Sequence, residues 1–350
     1  MKQNGFDTLL EQVTSGAKVS AAMWRTLIAE LGDEEKQRLT LMARNVAQAH
    51  FGKGVYVRAL IEISSYCRNN CYYCGLRCSN ELTQRYRLSK DEILDCCSEA
   101  ALLGFNTFVL QGGEDPLQDD EWLADVVAAI RARYPEKAIT LSVGERTIAG
   151  YSMLRNAGAD RYLLRHETAN DAHYSHLHPD SMDPGERRGC LIDLKSLGYQ
   201  VGSGMMVGSP GLTVEYLVED MIFLDKLKPH MIGIGPFIPA AGTPFAAEPH
   251  GSVEETLHLI SLLRLRFPKA LIPATTALAT LCSDGTQRAV FAGANVVMPN
   301  VTPLACRNKY TIYNNKKHDG SESAQGLLAL SNKLEEIGYY IDFSRGDYPQ

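Results

Sequence analysis

Tyr56-Val57-Arg58-Ala59-Leu60-Ile61-Glu62-Ile63-Ser64-Ser65-Tyr66-Cys67-Arg68-Asn69-Asn70-Cys71-Tyr72-Tyr73-Cys74 runs an apolar segment straight into three cysteines. Residues 56–63 read as a short buried strand. The cysteines stand at C-x3-C-x2-C, and three thiolates at that spacing can hold three corners of a four-iron four-sulfur cluster. Clusters that only carry electrons usually take four cysteine ligands, so an open corner points to a small molecule that binds the iron and is changed there. Zinc is a poorer reading, because no second C-x2-C or H-x3-H pair follows at a plausible distance. Cys78 is close enough to be weighed as a fourth ligand. With Cys96, Cys97, Cys190, Cys282 and Cys306, it reads better as a small buried apolar side chain.

Outward from this junction the same unit repeats. Apolar runs at 107–111, 138–142, 161–165, 200–207, 231–235, 270–275 and 295–298 read as seven more strands, separated by longer amphipathic stretches. Ser89-Lys90-Asp91-Glu92 has the capping-box arrangement of a helix start. No Pro/Gly/Ser-rich linker interrupts the series, and residues 7–49 read as a helical lead-in. The expected fold is α/β, a complete (βα)8 TIM barrel with an N-terminal helical extension: residues 1–50 as the lead-in and 51–350 as one barrel domain. Chemistry in such a barrel sits at the carboxyl ends of the strands. Those ends read Gln111-Gly112-Gly113-Glu114, Ser142-Val143-Gly144-Glu145, Arg165-His166-Glu167-Thr168, Pro273-Ala274-Thr275-Thr276 and Met298-Pro299-Asn300. Alternation puts Arg165 and Glu167 on one face and turns His166 to the other, where a structural hydrogen bond is its expected role.

Composition narrows the partners. Nine cysteines in 350 residues are too few for a disulfide scaffold, and no basic segment leads into an apolar signal core. A reducing cytoplasm is expected. No apolar run approaches the roughly 20 residues that span a bilayer. A net charge of −6 without a dense basic stripe argues against nucleic acid.

The cysteine motif, with an aromatic before its last cysteine, resembles the radical S-adenosylmethionine enzymes. In that family the open iron is chelated by the amino and carboxylate groups of the methionine moiety, and an electron from the cluster releases a 5'-deoxyadenosyl radical. Gly112-Gly113-Glu114 looks like the family's motif for the methionine amino group. Longer strings are similar to the HydE family of FeFe-hydrogenase maturases: Cys71-Tyr72-Tyr73-Cys74-Gly75-Leu76-Arg77, Arg161-Tyr162-Leu163-Leu164-Arg165-His166-Glu167-Thr168, Gly233-Ile234-Gly235-Pro236-Phe237, Ile272-Pro273-Ala274-Thr275-Thr276-Ala277 and Gly293-Ala294-Asn295-Val296-Val297-Met298-Pro299-Asn300. The resemblance implies one 4Fe-4S cluster on Cys67, Cys71 and Cys74. It implies S-adenosylmethionine contacts from Tyr73, Gly112, Gly113, Glu114, Ser142, Gly144, Glu167, Arg187 and Met231. Arg165, Gln111, Thr275, Thr276, Met298 and Tyr310 would line the substrate side of a long cavity.

The same resemblance implies a substrate: an iron complex carrying cysteine, carbon monoxide and cyanide, made by the partner maturase HydG and moved towards the H-cluster of hydrogenase. Contacts with HydG and HydF and a reductant protein are implied partners, and a monomer is expected. Some HydE proteins hold an accessory cluster late in the chain. Here only Cys306 stands in that region, so no accessory cluster is expected, and the run Asn314-Asn315-Lys316-Lys317-His318 reads as a solvated loop. Other radical enzymes of the group, methylornithine synthase and biotin-synthase-like sulfur inserters, would share the barrel and the cysteine loop. A non-catalytic iron-sulfur scaffold is the alternative of a different class.

Overall fold

The computed structural model describes residues 3–316 and 326–349. Strands β1 (Gly54–Val57) and β2 (Ala59–Ser64) form one run broken only at Arg58. Along it Leu60 and Glu62 face the barrel interior, while Ala59, Ile61 and Ile63 join the core beneath the surrounding helices. Both faces are therefore buried, as a parallel strand with helices outside requires.

The remaining strands are β3 (Thr107–Gly112), β4 (Ala138–Ser142), β5 (Arg161–Leu163), β6 (Gln200–Ser203), β7 (Met206–Val207), β8 (Met231–Ile232), β9 (Gly235–Pro236), β10 (Val296–Val297) and β11 (Tyr340–Asp342). Parallel pairing runs β2-β3-β4-β5-β6-β8. Single bridges, Met231 to Leu271 and Pro273 to Val296, carry the ring to β10, which pairs with β1. The (βα)8 barrel thus closes on itself. Closure leaves no open edge beside β2, and Leu60 also meets Asn300.

Five of the expected strands are shorter than their apolar runs; those at 161–165 and 295–298 keep only Arg161–Leu163 and Val296–Val297. The run at 270–275 contributes only the bridges at Leu271 and Pro273; a proline has no N–H to extend a ladder. The runs at 200–207 and 231–235 each split in two. Gly204 explains the split, with φ +157° and a backbone so close to Gly233 that a Cβ would lie 1.9 Å from its carbonyl oxygen. Only glycine permits that approach.

Before the barrel, helices Gln3–Thr14, Ala21–Arg25 and Asp33–Phe51 replace the single lead-in, with a π-helical turn at Thr26–Glu30. They pack on helices Val214–Leu227 and Val253–Arg266, and His258 Nε2 meets the Leu27 carbonyl at 2.7 Å. The capping box at Ser89 forms: its Oγ accepts from Glu92 N, and Glu92 Oε2 accepts from Ser89 N at 2.7 Å. At the other end of the chain an unforeseen strand, β11, pairs with the lower part of β1. The tail beyond it closes the barrel floor. Buried Arg161 donates to Arg345 O and Asp347 Oδ1, and Arg58 donates to Gly346 O.

Candidate active site

The cysteine loop leaves β2 and is held from several sides. Arg85 donates to four carbonyls, those of Ser65, Leu76, Arg77 and Asn80. Asn80 and Thr83 both donate to Gly75 O, and Gly75 N donates to Ile312 O at 2.9 Å. On the barrel side Arg68 N donates to Glu114 O, and the Arg68 guanidinium pairs with the Glu114 carboxylate at 3.0 Å. Gly113 is squeezed between Tyr66 O and Cys67, where a Cβ would stand 2.2 Å from that oxygen. The Gly-Gly-Glu turn and the cysteine loop therefore form one interlocked unit.

Cys67, Cys71 and Cys74 are all free thiols. Burial pushes each one up, Cys74 to about 12; Cys71 is raised further by Cys74 and Cys67, and Cys74 by Cys67, so a thiolate there needs a cation. This is the donor set an iron-sulfur cluster takes. Among the described residues no group of three or more His, Cys, Asp and Glu side chains could hold a single metal ion. Of the six other cysteines, Cys96 and Cys97 are buried, matching an apolar role. Cys78 is exposed and Cys190, Cys282 and Cys306 are only partly covered. For these four the expectation of full burial is corrected: Cys78 lies in a turn, Cys282 just past a helix end, and Cys190 and Cys306 on helices where they are only partly packed against the core.

Beside Cys74 the barrel encloses a cavity of about 340 Å³. Its wall brings together Tyr73, Gly112, Ser142, Gly144, Glu167 and Arg187, and also Gln111, Arg165, Thr275, Thr276, Met298 and Tyr310. Gly113, Glu114, Cys67 and Cys71 are not among its lining residues. Met231 is not part of it either. It starts β8 low in the barrel, packs with Leu271 and Val296, and accepts a contact from Arg58 Nη1 at its sulfur, 3.2 Å away. The expected adenosyl contact of Met231 thus falls on a residue outside this lining.

The charges on the wall come in pairs. Arg165 Nη2 donates to Glu167 Oε2 at 2.8 Å. Strand alternation is not the cause, since β5 ends at Leu163 and Glu167 adopts φ +65°. A non-glycine residue in the left-handed region is uncommon and clusters at functional sites. Arg187 forms a close ion pair with Glu145. Burial works against its guanidinium, yet Glu145, Tyr174, Tyr73 and Glu167 hold it well above its ordinary value. Tyr73 and Tyr310 are raised well above the usual phenol range, chiefly by burial, so both stay protonated. The Tyr73 hydroxyl meets His178 Nε2 at 3.2 Å, while His178 Nδ1 meets Tyr174 O at 2.9 Å. Burial lowers His178 to about 4, so a neutral ring donates from Nδ1 and accepts the phenol at Nε2. Thr275 Oγ1 and Arg165 Nε have no hydrogen-bond partner among the described residues. These are spare polar atoms on a wall that could bind a polar ligand.

A model of the Radical SAM superfamily matches residues 61–224. The [FeFe] hydrogenase maturase subunit HydE of Thermotoga maritima is 43% identical over 280 residues, which is 80% of each chain. The chain belongs to the radical SAM superfamily as a HydE-like member. It is therefore a radical SAM enzyme, and the family implies a 4Fe-4S cluster and S-adenosylmethionine. The 3-methylornithine synthase of Methanosarcina barkeri is 32% identical over 340 residues, 97% of this chain and 95% of its own. A crystal structure of methylornithine synthase (PylB) has a TM-score of 0.83 at 29% identity, covering 95% of this chain and 97% of that one.

Two wall residues of this HydE-like protein escaped the sequence reading. Glu62 is fully buried on β2, and Lys316, read as part of a solvated loop, is buried against it. Lys317 and His318 of that loop lie outside the described residues. A lone carboxylate inside the apolar run Ala59-Leu60-Ile61-Glu62-Ile63 is a signal that could have found Glu62. Nothing local marks Lys316.

Proposed function

We propose that this HydE-like enzyme acts in assembly of the FeFe-hydrogenase active site, on a cysteine-bound iron carbonyl cyanide complex that a HydG partner supplies. The observation that carries the reading is the 43% identity with HydE over 80% of both chains. The geometry supports it, because the last cluster cysteine, the Arg165–Glu167 and Lys316–Glu62 ion pairs and a polar wall share one cavity. When bound, the cluster and S-adenosylmethionine supply a one-electron reductive cleavage that yields a 5'-deoxyadenosyl radical.

The chain's own residues divide the work. Cys67, Cys71 and Cys74 would hold the cluster, and Gly112 and Gly113 give the methionine moiety close access to backbone. Arg187 can meet a carboxylate with a two-pronged donor, and Glu167 can accept from ribose hydroxyls or an ammonium. Arg165, Gln111, Thr275, Thr276, Met298 and Tyr310 are assigned to the substrate side. The barrel wall keeps water from a reactive carbon centre. Cys306 alone cannot support an accessory cluster, so one cluster per chain is proposed.

The test is anaerobic. Reconstituted protein receives dithionite and S-adenosylmethionine, with or without the HydG-derived iron-cysteine complex, and 5'-deoxyadenosine and adenosyl-cysteine adducts are quantified. Adduct that requires the iron complex supports the reading; cleavage that ignores the complex sinks it. A second reading, lysine rearrangement, is favoured by the match to 3-methylornithine synthase across 97% of the chain. Adding L-lysine in the same assay distinguishes it.

A further inference from the structure

Glu62 is the one charge on β2 that faces the cavity, and its partners come from distant parts of the chain. Oε1 accepts from Lys316 Nζ at 2.5 Å and Oε2 accepts from Asn300 Nδ2 at 2.8 Å. Its backbone is clamped as well: the N–H donates to Thr302 Oγ1, and the carbonyl accepts from Tyr86 OH. Lys316 Nζ lies 5.2 Å from the centre of the Tyr310 ring, and Tyr310 OH accepts from Gln111 Nε2 at 3.4 Å. Glu62, Gln111 and Ser142 are register partners on three adjacent strands. Together these groups make a polar pole in the cavity wall, on β2, β3 and β4 and the 308–316 segment rather than on the turn after β5 that carries Arg165 and Glu167.

A clasp for the 308–316 segment does not account for this pole. A buried ion pair barely offsets its desolvation, and an apolar pair of similar volume would stabilise the fold as well or better. Both members also reach the cavity surface. Each keeps bonding capacity: a carboxylate can accept about four hydrogen bonds and an ammonium donates three. Among the described residues Glu62 accepts one at each oxygen, and Lys316 Nζ donates only to Glu62.

We infer that Glu62 and Lys316 form an amino-acid head site, in which Lys316 binds an α-carboxylate and Glu62 binds the neighbouring α-ammonium. Acceptor and donor adjoin at 2.5 Å, as the two head groups of an amino acid adjoin on one carbon. The inference deepens the proposed function and rests on it in one respect: a cysteine-bearing iron complex presents such a head.

The experiment uses reconstituted anaerobic protein without turnover and three thioethers, which keep free-thiol chemistry out of the comparison. S-methyl-L-cysteine has both head groups, 2-(methylthio)ethylamine lacks the carboxylate, and 3-(methylthio)propionate lacks the ammonium. Calorimetry should show the amino acid binding about tenfold tighter than either fragment. Lys316→Met should weaken the amino acid and the propionate about tenfold and spare the amine, and Glu62→Gln should spare only the propionate. The double variant E62Q/K316M leaves no buried charge unpaired; its native-like circular dichroism with loss of discrimination would separate binding from folding. Equal binding of all three compounds by the wild type overturns the inference, as does a Lys316→Met protein that melts earlier yet binds the amino acid unchanged. Discrimination without any adduct from the iron complex would uphold the head site and move the substrate to a different amino acid.

Discussion

Arg187 is 8% exposed and faces Glu145, Glu167, Tyr73 and Tyr174. Replacing it with methionine leaves Glu145 buried without a cation, and burial already raises that carboxyl. Arg187→Met should lower S-adenosylmethionine affinity between about tenfold and a hundredfold, measured by equilibrium dialysis, while cluster iron is unchanged. His178 gives a pH signature. Its folded value of about 4 lies below the ordinary 6.5, so the unfolded chain binds the extra proton first. Stability from this site is complete above pH 6.5 and drains as the pH falls towards 4. Melting temperature should fall through that window, less steeply in His178→Asn. Residues of this kind were partly legible. Cysteine spacing is a local code, whereas the left-handed turn that swings Glu167 onto Arg165 depends on Gly204 O and Met206 N across the neighbouring strand.

At the scale of elements, the barrel strands follow from apolar runs, but their lengths follow from close approaches. Gly204 lets β6 run hard against Gly233, where the β6–β8 ladder stops and pairing resumes as β7–β9. Gly204→Ala places a Cβ against Gly233 and should cost about 2 kcal/mol or more in urea denaturation of the apoprotein. A smaller effect would mean that the two strands can slide apart. The Ser89 capping box was readable because all its partners lie within four residues. The reduced strand at Leu271 and Pro273 was not, since the apolar run around it looks like any buried strand.

Over the whole molecule, the tail after β11 is what seals the barrel floor. Asp347 faces Arg161, which has no exposed side-chain surface, and Arg345 joins both to Asp160. Asp347→Ala should cost about 2 kcal/mol, below the roughly 3–5 kcal/mol of a fully buried broken pair, because Asp347 is itself 40% exposed. Urea unfolding of Asp347→Ala beside Arg161→Met/Asp347→Leu would check this, since the apolar pair should recover most of the loss. Among the described residues no helix is long and apolar enough to cross a membrane. By itself the sequence determined the barrel and the cysteine loop, because period-two burial, turn glycines and short ligand spacings act over a few residues, whereas most of the cavity wall was named only through the resemblance to the HydE family. Only the tertiary structure decided that Met231 lies beneath the cavity, that the tail closes the floor and that Lys316 turns inward to Glu62. Those depend on strand register and on contacts between residues more than a hundred positions apart, which no local pattern encodes.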